Sequence, residues 1–242
     1  MLFSLLLACL ARTSGPGAFG TATPPSESAE ASDILFQGGT VVGLGRADIL
    51  VREGVIVAIG ADLNPGGAAI MDVAGAWLAP SFIDSHVHLA YLPAEEELAD
   101  NGIAGVVDLA APLSFLSEAH PSLQVISSGP MVTAVGGYPT RSWGSGGYGI
   151  ESEGAAEAVA AVDTVWTAGA RVIKLPVTPA PQLNDAALAA AVSRAHALGL
   201  PVATHALSDG EAARAAAAGA DVLAHAPTGA LSPATVAAWS SG

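Results

Sequence analysis

Positive charge is scarce in this sequence of 242 residues. Lys and Arg together number 8 against 22 Asp and Glu, which gives a formal net charge of −14. Such an excess of negative charge repels phosphate backbones and anionic membrane surfaces. The charge balance therefore argues against nucleic acid as a partner.

Cysteine and long hydrophobic runs are equally scarce. Cys9 is the only cysteine, so no disulfide can form within one chain. No run of about 20 apolar residues occurs, and the sequence as written predicts no helix that spans a bilayer.

The remaining composition is that of a globular α/β protein. Hydrophobic residues make up 51% of the chain and charged residues 12%, with 28 glycines. This combination is typical of buried parallel strands and closely packed helices, since strands covered on both faces carry few charges. The length is close to the roughly 250 residues of one α/β barrel.

The first 32 residues differ from the rest. "MLFSLLLACLA" is a short apolar run, and the following residues up to Ser32 are rich in Pro, Gly, Ser and Ala. This pattern predicts an export signal and a linker. The "LLLAC" stretch resembles the lipobox of bacterial lipoproteins, which implies acylation of Cys9. The alternative is an ordinary signal cleaved near Ala18 to Ala22. Both predict an exported bacterial protein, either periplasmic or anchored to a membrane by lipid.

Two further regions follow, with different sequence texture. Residues 33–80 contain short β-branched segments separated by glycine turns, which predicts small antiparallel strands. From residue 81 to 242 a pattern of helix, glycine and apolar strand repeats, as in "VWTAGARVIKLPV" and "AHALGLPVATHA". A repeated βα unit predicts a parallel sheet.

The repeat predicts where each strand and helix begins and ends. Six parallel strands are predicted at Ser81 to Val87, Gly105 to Leu109, Leu123 to Ser127, Arg171 to Leu175, Pro201 to Thr204 and Asp221 to Ala224. Helices are predicted near Glu95 to Asn101, Ala155 to Ala168, Asp185 to Leu198 and Asp209 to Ala218, with another in "SPATVAAWSSG". Residues Gly129 to Glu153 are predicted to be a long ordered loop, which in a βα barrel lies on the catalytic face.

Four of the six histidines fall at the carboxyl ends of predicted strands, namely His86, His88, His205 and His225. Because side chains alternate along a strand, His86 and His88 point to the same side and can hold one ion together. The H-x-H pattern alone also fits a chance pair. The carboxyl ends of parallel strands, however, are where α/β folds place their chemistry.

The other histidines and one carboxylate receive simpler interpretations. His120 and His196, at a helix end and on a helix, are predicted to be ordinary exposed residues. Asp84 shares a strand face with His86. It is interpreted either as a carboxylate that supports the metal ligands or as strand-start packing.

Lys174 is the only lysine and lies within the apolar segment "VIKLPV". A buried ammonium is costly unless it is paired or its pKa falls far enough for the amine to be neutral. The alternative is a side chain that extends to water from the strand end.

These residues carry a resemblance to a known family. "GGTVVG", "ADILVREGVIVAIG", "GAWLAPSFIDSHVHL", "GARVIKL", "LPVATHA" and "GADVLAHA" resemble segments of the amidohydrolase superfamily, in particular its imidazolonepropionase-like and Xaa-Pro dipeptidase-like hydrolases. The resemblance implies a TIM (β/α)8 barrel, incomplete here with about six strands, and a partial small N-terminal β-sandwich at 33–80.

The resemblance also implies a function and a ligand set. His86 and His88 would bind one metal, a carboxylated Lys174 would bridge two, and His205 and His225 would bind the second. Neutral imidazoles suit zinc, and the implied cofactor is a pair of divalent metals, expected to be zinc. Such a pair generates a hydroxide nucleophile at neutral pH. The implied substrates are small molecules with amide, cyclic amide or dipeptide bonds.

The sequence departs from the family at its end. The family's catalytic aspartate on the eighth barrel strand has no counterpart, because the sequence ends at Gly242 after the sixth predicted strand. Asp209 and Asp221 cannot replace it, since they begin a helix and a strand. The expectation is a fragment of a longer product or a decayed enzyme. Two alternatives remain open: a mononuclear deaminase that does not need Lys174, and a non-catalytic metal-binding barrel fragment.

Two residues of the predicted loop are candidates for substrate binding. Arg141 is the only cation between Arg52 and Arg171, so it could anchor a substrate carboxylate, with Tyr138 lining the same pocket. The alternative is that Arg141 pairs with an acid such as Glu151 or Glu153. The sequence does not indicate the oligomeric state.

Overall fold

The computed structural model describes residues 10–12 and 33–240. Cys9, the predicted cleavage region and most of the predicted export signal lie outside the described residues. The described part of the chain forms two compact units, one of residues up to 82 together with 98–104, the other of 83–97 together with 105–240. In neither is a helix both long enough and apolar enough to cross a membrane.

The first unit is a six-stranded sheet. Its strands are β1 (Leu10–Arg12), β2 (Ile34–Val41), β3 (Gly45–Arg52), β4 (Val55–Gly60), β5 (Ala69–Asp72) and β6 (Ala76–Leu78). The order is β1-β6-β2-β3-β4, with β5 also paired to β2. The predicted antiparallel pairing is confirmed for β2, β3 and β4. It is wrong for β5 and β6, which both pair with β2 in parallel.

Alternation along β3 explains how this sheet is buried. Ile49 packs with Val73 and Leu78, whereas the next residue, Leu50, packs with Leu35. Adjacent residues of a strand point to opposite faces, so both faces of β3 are covered. The described residues of this unit form a single sheet, and the two-layer sandwich stays a prediction.

All six predicted parallel strands are present, and they lie wholly or for the most part in the second unit. β7 (Phe82–Val87), β8 (Ile103–Asp108) and β9 (Gln124–Ser127) form one sheet, and β12 (Ile173–Pro176), β13 (Val202–His205) and β14 (Val222–Leu223) form another. The pairs β8–β9, β12–β13 and β13–β14 are parallel. In the described residues these six strands divide into two sheets of three, and the incomplete barrel stays a prediction.

The predicted loop at Gly129 to Glu153 is only partly a loop. Two strands lie within it, β10 (Met131–Ala134) and β11 (Gly149–Ser152), and they pair in parallel. The sequence did not predict these two strands, because segments of four residues give little periodic signal. The irregular part is reduced to residues 135–148.

The helices agree closely with the sequence. They are α1 (Glu95–Asp100), α2 (Ala155–Ala168), α3 (Asp185–Ala197), α4 (Asp209–Ala217) and α5 (Pro233–Ser240). The predicted bounds of α1, α2, α3 and α4 are met within one residue. α2 ends at Gly169, whose φ of +117° favours glycine. α4 begins with a capping box between Ser208 and Glu211. The sequence did not predict the 3-10 helix at Leu113–Ser117.

The main hydrophobic core of the second unit lies between strands and helices. Ile173, Leu175 and Val202 on β12 and β13 pack against apolar faces of α2 and α3 that are rich in alanine and valine. Apolar residues at helical spacing on α3, such as Leu188 and Val192, explain why this face turns inward.

We expect the substitution Leu188→Ala to lower the free energy of unfolding by about 2–5 kcal/mol, because it removes a buried side chain and leaves a cavity. Leu188 is 1% exposed. Val236→Ala on α5 is the control, since Val236 is 48% exposed and should change stability by less than about 0.5 kcal/mol. Denaturant unfolding measures both. Equal losses for the two variants would contradict this description of the core.

Candidate metal centre

The structure brings the four predicted histidines together. His86 lies in β7, His88 follows its end, His205 ends β13, and His225 comes two residues after β14. The ring centroids of His86 lie 5.1 Å from His88 and 4.9 Å from His225, and those of His205 and His225 are 4.4 Å apart. The four imidazoles form a continuous cluster of rings at the carboxyl ends of these strands.

Hydrogen bonds define which nitrogen carries the proton on two of the rings. Nδ1 of His86 lies 3.1 Å from the carbonyl oxygen of Ala224, and Nδ1 of His88 lies 3.4 Å from that of Ala110. A carbonyl oxygen can only accept, so Nδ1 donates and Nε2 keeps a lone pair. Both rings therefore present a nitrogen suited to a metal.

Lys174, in β12, is enclosed within the protein. The residue is 1% exposed, and its Nζ has no hydrogen-bond partner. Burial lowers the pKa of Lys174 from 10.5 to about 7. The alternative in which this side chain extends to water is wrong.

Burial favours the neutral form of all four histidine side chains in the cluster. Burial lowers the pKa of His86 and that of His205 to about 4, and the charge of Lys174 contributes to both shifts. The pKa values of His88 and His225 are also lowered, again mainly by burial, with a further contribution from Lys174. The charge of Lys174 thus contributes to the lowered pKa of all four rings. Neutral imidazole is the form that binds metal.

The side-chain positions require one adjustment before an ion could bind. No group of three or more His, Cys, Asp or Glu among the described residues is arranged to hold a metal ion as it stands. Nδ1 of His205 and Nε2 of His225 lie 3.1 Å apart in a direct hydrogen bond, which an ion between the rings would have to replace. The donor types nevertheless fit a metal, since Nζ of Lys174 and Nδ1 of His225 are both buried without a partner.

Asp108 is a buried residue of this region that the sequence analysis missed. It ends β8, is fully buried, and accepts hydrogen bonds from the backbone N–H of Leu89 (2.6 Å), that of Ala110 (3.3 Å) and Oγ of Ser127 (3.3 Å). Burial raises the pKa of Asp108 to about 6, although these hydrogen bonds oppose the shift. The available signal was an acid at the end of the apolar run "IAGVVDLAA".

Asp84 takes a local role. Its Oδ1 accepts a hydrogen bond of 3.0 Å from the backbone N–H of His86. The carboxylate therefore holds the backbone beside a cluster histidine. Both interpretations, support of the metal ligands and packing at the start of the strand, stay open.

Two aromatic side chains from the segment 135–148 lie over the cluster. The ring of Tyr138 is 4.8 Å from that of His205, and the ring of Trp143 is 4.9 Å from that of His88. Trp143 Nε1 donates a hydrogen bond of 2.8 Å to the hydroxyl of Tyr138. Tyr138 thus lies beside the histidines, where a substrate-binding residue was predicted.

Arg141 occupies a different environment. It is exposed, and its guanidinium group lies against Gly136, where an added Cβ would approach Nε to 2.6 Å. The backbone N–H of Gly136 is the largest cause of the lowered pKa of Glu151, and the charge of Arg141 contributes to the same shift. The two interpretations of Arg141, as an anchor for a substrate carboxylate and as a partner of an acid, both stay open.

The remaining two histidines lie in acid pairs. The prediction of an exposed residue is wrong for His120, whose side chain is 15% exposed and contacts Glu95 at 2.9 Å. His120 also packs on Phe115, beside a cavity of about 360 Å³. The prediction is confirmed for His196, which is 44% exposed and contacts Asp221 at 2.9 Å.

Sequence comparison finds relatives among enzymes of one superfamily. The chain is 45% identical over 60 residues to an allantoinase from Rubrobacter xylanophilus, a match that covers 24% of this chain and 13% of the relative. It is 38% identical over 61 residues to a dihydroorotase from Pelotomaculum thermopropionicum, covering 23% and 14%. The matches thus span only about an eighth of the length of these relatives. No family model matches the chain.

Solved structures of similar fold match a larger share of the chain than the sequence relatives do. The crystal structure of a Xaa-Pro dipeptidase with methionine bound in its active site matches with a TM-score of 0.65 and 20% identity, over 79% of this chain and 61% of that one. Likeness at this level of identity shows the fold, which is an α/β fold of the kind found in amidohydrolases. The sequence relatives support the predicted resemblance to the amidohydrolase superfamily.

Proposed function

We propose that the protein is, or is part of, a metal-dependent hydrolase of carbon–nitrogen bonds, built on an incomplete (β/α)8 barrel. The observation that carries the proposal is the cluster of four imidazole rings, which the chain combines with one buried lysine amine that has no hydrogen-bond partner. A fully enclosed lysine without a partner is unfavourable for folding alone. Its retention therefore favours a chemical use.

Five residues would hold two divalent metals, for which zinc suits the donor set. His86 and His88 would hold one ion, His205 and His225 would hold the other, and Lys174 would supply the fifth ligand group. Metals held by these residues would polarise a substrate carbonyl and would lower the pKa of a bound water.

The chain's own groups prepare this site. Because the pKa of Lys174 is lowered to about 7, a large fraction of the amine is neutral at physiological pH. A neutral amine can form an N–C bond with CO2 and release one proton, which converts Nζ into an anionic carbamate. Ala224 and Ala110 hold the Nδ1 protons of His86 and His88 and so leave both Nε2 atoms free.

The proposed substrates are small amides, cyclic amides or dipeptides. The names of the relatives, allantoinase and dihydroorotase, and of the structural neighbour, a Xaa-Pro dipeptidase, support this class. Tyr138 and Trp143 provide an apolar wall beside the cluster, with the tyrosine hydroxyl and the indole N–H as polar groups. A mononuclear deaminase would not need Lys174, so the environment of Lys174 favours the hydrolase. Export, and lipid attachment at Cys9, stay predictions.

The proposal is tested by the metal content of the purified chain. We expect elemental analysis to find close to two equivalents of zinc after incubation with zinc and bicarbonate. Intact mass spectrometry under gentle conditions should show the added mass of one CO2. Since the chain has one lysine, loss of this mass in Lys174→Ala would assign the carbamate without ambiguity. A folded, monodisperse sample that binds no zinc would contradict the proposed function.

A further inference from the structure

The carboxylate of Asp108 connects two segments that surround His88. Its Oδ2 accepts a hydrogen bond of 2.6 Å from the N–H of Leu89, which belongs to the peptide unit that follows His88. Its Oδ1 accepts from the N–H of Ala110 at 3.3 Å. One buried side chain thus holds the backbone after β7 and the backbone after β8.

The second of these segments also contacts the imidazole of His88. The carbonyl oxygen of Ala110 accepts the hydrogen bond from Nδ1 of His88 at 3.4 Å. Asp108 therefore acts on His88 from two directions: it fixes the peptide unit that follows the residue, and it fixes the residue whose carbonyl orients the ring. At 3.4 Å this hydrogen bond is long, so small shifts of Ala110 would break it.

The carboxylate is held in turn from the neighbouring strand. Oγ of Ser127, the last residue of β9, donates to Oδ1 of Asp108 at 3.3 Å and accepts from the N–H of Gly129 at 3.0 Å. Both Asp108 and Ser127 are buried, which keeps water from replacing these contacts. The orientation of His88 thus depends on a chain of hydrogen bonds that runs through β8 to β9.

We propose that Asp108 is a positioning residue for the metal centre, which holds His88 with Nδ1 protonated and Nε2 directed to the metal. The inference rests on the proposed function for the identity of the ligand. The partner that orients the ligand is the backbone carbonyl of Ala110, and a carboxylate two residues away holds the N–H of the same residue. Outer partners of this kind commonly change metal affinity by about 10–100-fold when they are removed.

The competing explanation is that Asp108 only stabilises the fold. Asp48 in the first unit provides a matched control, because it is also buried and also accepts two backbone N–H groups, from Gly38 at 2.8 Å and Leu63 at 3.1 Å. Asp108→Asn and Asp48→Asn each replace one acceptor oxygen by a donor that faces an N–H group. Both variants should lose stability, but only the first should change the metal centre.

The test uses zinc and the full chain. We expect competition with a chromophoric chelator to show zinc binding about 10–100-fold weaker in Asp108→Asn and unchanged in Asp48→Asn. Imidazole ¹⁵N spectra of the metal-free proteins, recorded where the histidines are neutral, should show the Nδ1–H tautomer of His88 in the wild type and a mixture of tautomers in Asp108→Asn. A merely structural carboxylate would leave this tautomer unchanged.

A second pair of variants keeps the test decisive if Asp108→Asn does not fold. Ser127→Ala removes one support of the carboxylate, whereas Ser152→Ala removes a buried hydroxyl that has no partner. Ser127→Ala should weaken zinc binding and mix the tautomers of His88, and Ser152→Ala should do neither. Unchanged affinity and an unchanged tautomer in Ser127→Ala and in folded Asp108→Asn would overturn the inference. If the wild type binds no zinc, the proposed function fails, and the tautomer alone decides the role of Asp108.

Discussion

Replacing Lys174 by methionine is expected to stabilise the metal-free protein at pH 7 while removing its capacity to bind two metals. Methionine has a similar length and fills the same space without a polar atom, and Nζ has no partner to lose. A buried polar group without a hydrogen-bond partner costs about 1–3 kcal/mol of desolvation, which the apolar side chain avoids. Denaturant unfolding in CO2-free buffer with a chelator measures the gain, and a zinc titration measures the loss.

The pH dependence of stability should distinguish the two proteins. The unfolded chain binds a proton at Lys174 below about pH 10.5, whereas the folded chain does so only below about pH 7. Between these values unfolding takes up a proton, so the free energy of unfolding of the wild type rises with pH. The shift corresponds to at most about 5 kcal/mol over this range. The contribution is absent from Lys174→Met.

A conservative change beside Lys174 provides the control. Leu175→Met alters a fully buried neighbour in the same strand and should cost less than about 1.5 kcal/mol without changing the pH dependence. If Lys174→Met is less stable than the wild type at pH 7, or if its stability rises with pH as steeply, the buried amine is not the unfavourable group described here.

The second large effect is expected from the histidine cluster. His205→Ala removes an imidazole that packs against both His225 and Tyr138 and that is neutral at pH 7, since burial lowers its pKa to about 4. We expect the variant to lose at least one zinc equivalent and to bind the remaining ion more than about 100-fold more weakly, a larger loss than outer partners typically cause. Isothermal titration with zinc measures both quantities.

His196→Ala is the matched control for this experiment. His196 is also paired with a neighbouring group, the carboxylate of Asp221, but it lies on the exposed surface of α3. Its removal should leave the zinc stoichiometry and affinity at wild-type values. Equal effects of the two substitutions would mean that zinc binds to histidines in general rather than to the cluster.

The sequence predicted the helices and strands of the second unit well because apolar residues and glycines recur there at regular spacing. α2 and α3 carry apolar residues at helical spacing and each is followed closely by a glycine, and several strands contain short apolar runs. The bounds of α2 were therefore predicted without error. The cluster of His86, His88, His205 and His225 could be predicted for a related reason. All four follow such runs, and parallel strands bring their carboxyl ends to one edge.

The parts that were not predicted depend on contacts between distant residues. The parallel pairing of β5 and β6 with β2 leaves no periodic signal in segments of three and four residues. Nor could the sequence show that Asp108 would be buried by Leu89 and Ser127, because an acid after an apolar strand more often faces solvent. His120 was misjudged in the same way, since its burial depends on Phe115 and Glu95.

The hydrogen bond between His86 and Ala224 joins positions 138 residues apart. Contacts of such long sequence separation carry a high entropic cost of loop closure and tend to form late in folding. The first and the last strand of the second unit must both be in place before His86 and His225 can meet. We expect the cluster to form only when both strands are in place, and detachment of either strand would separate His86 from His225.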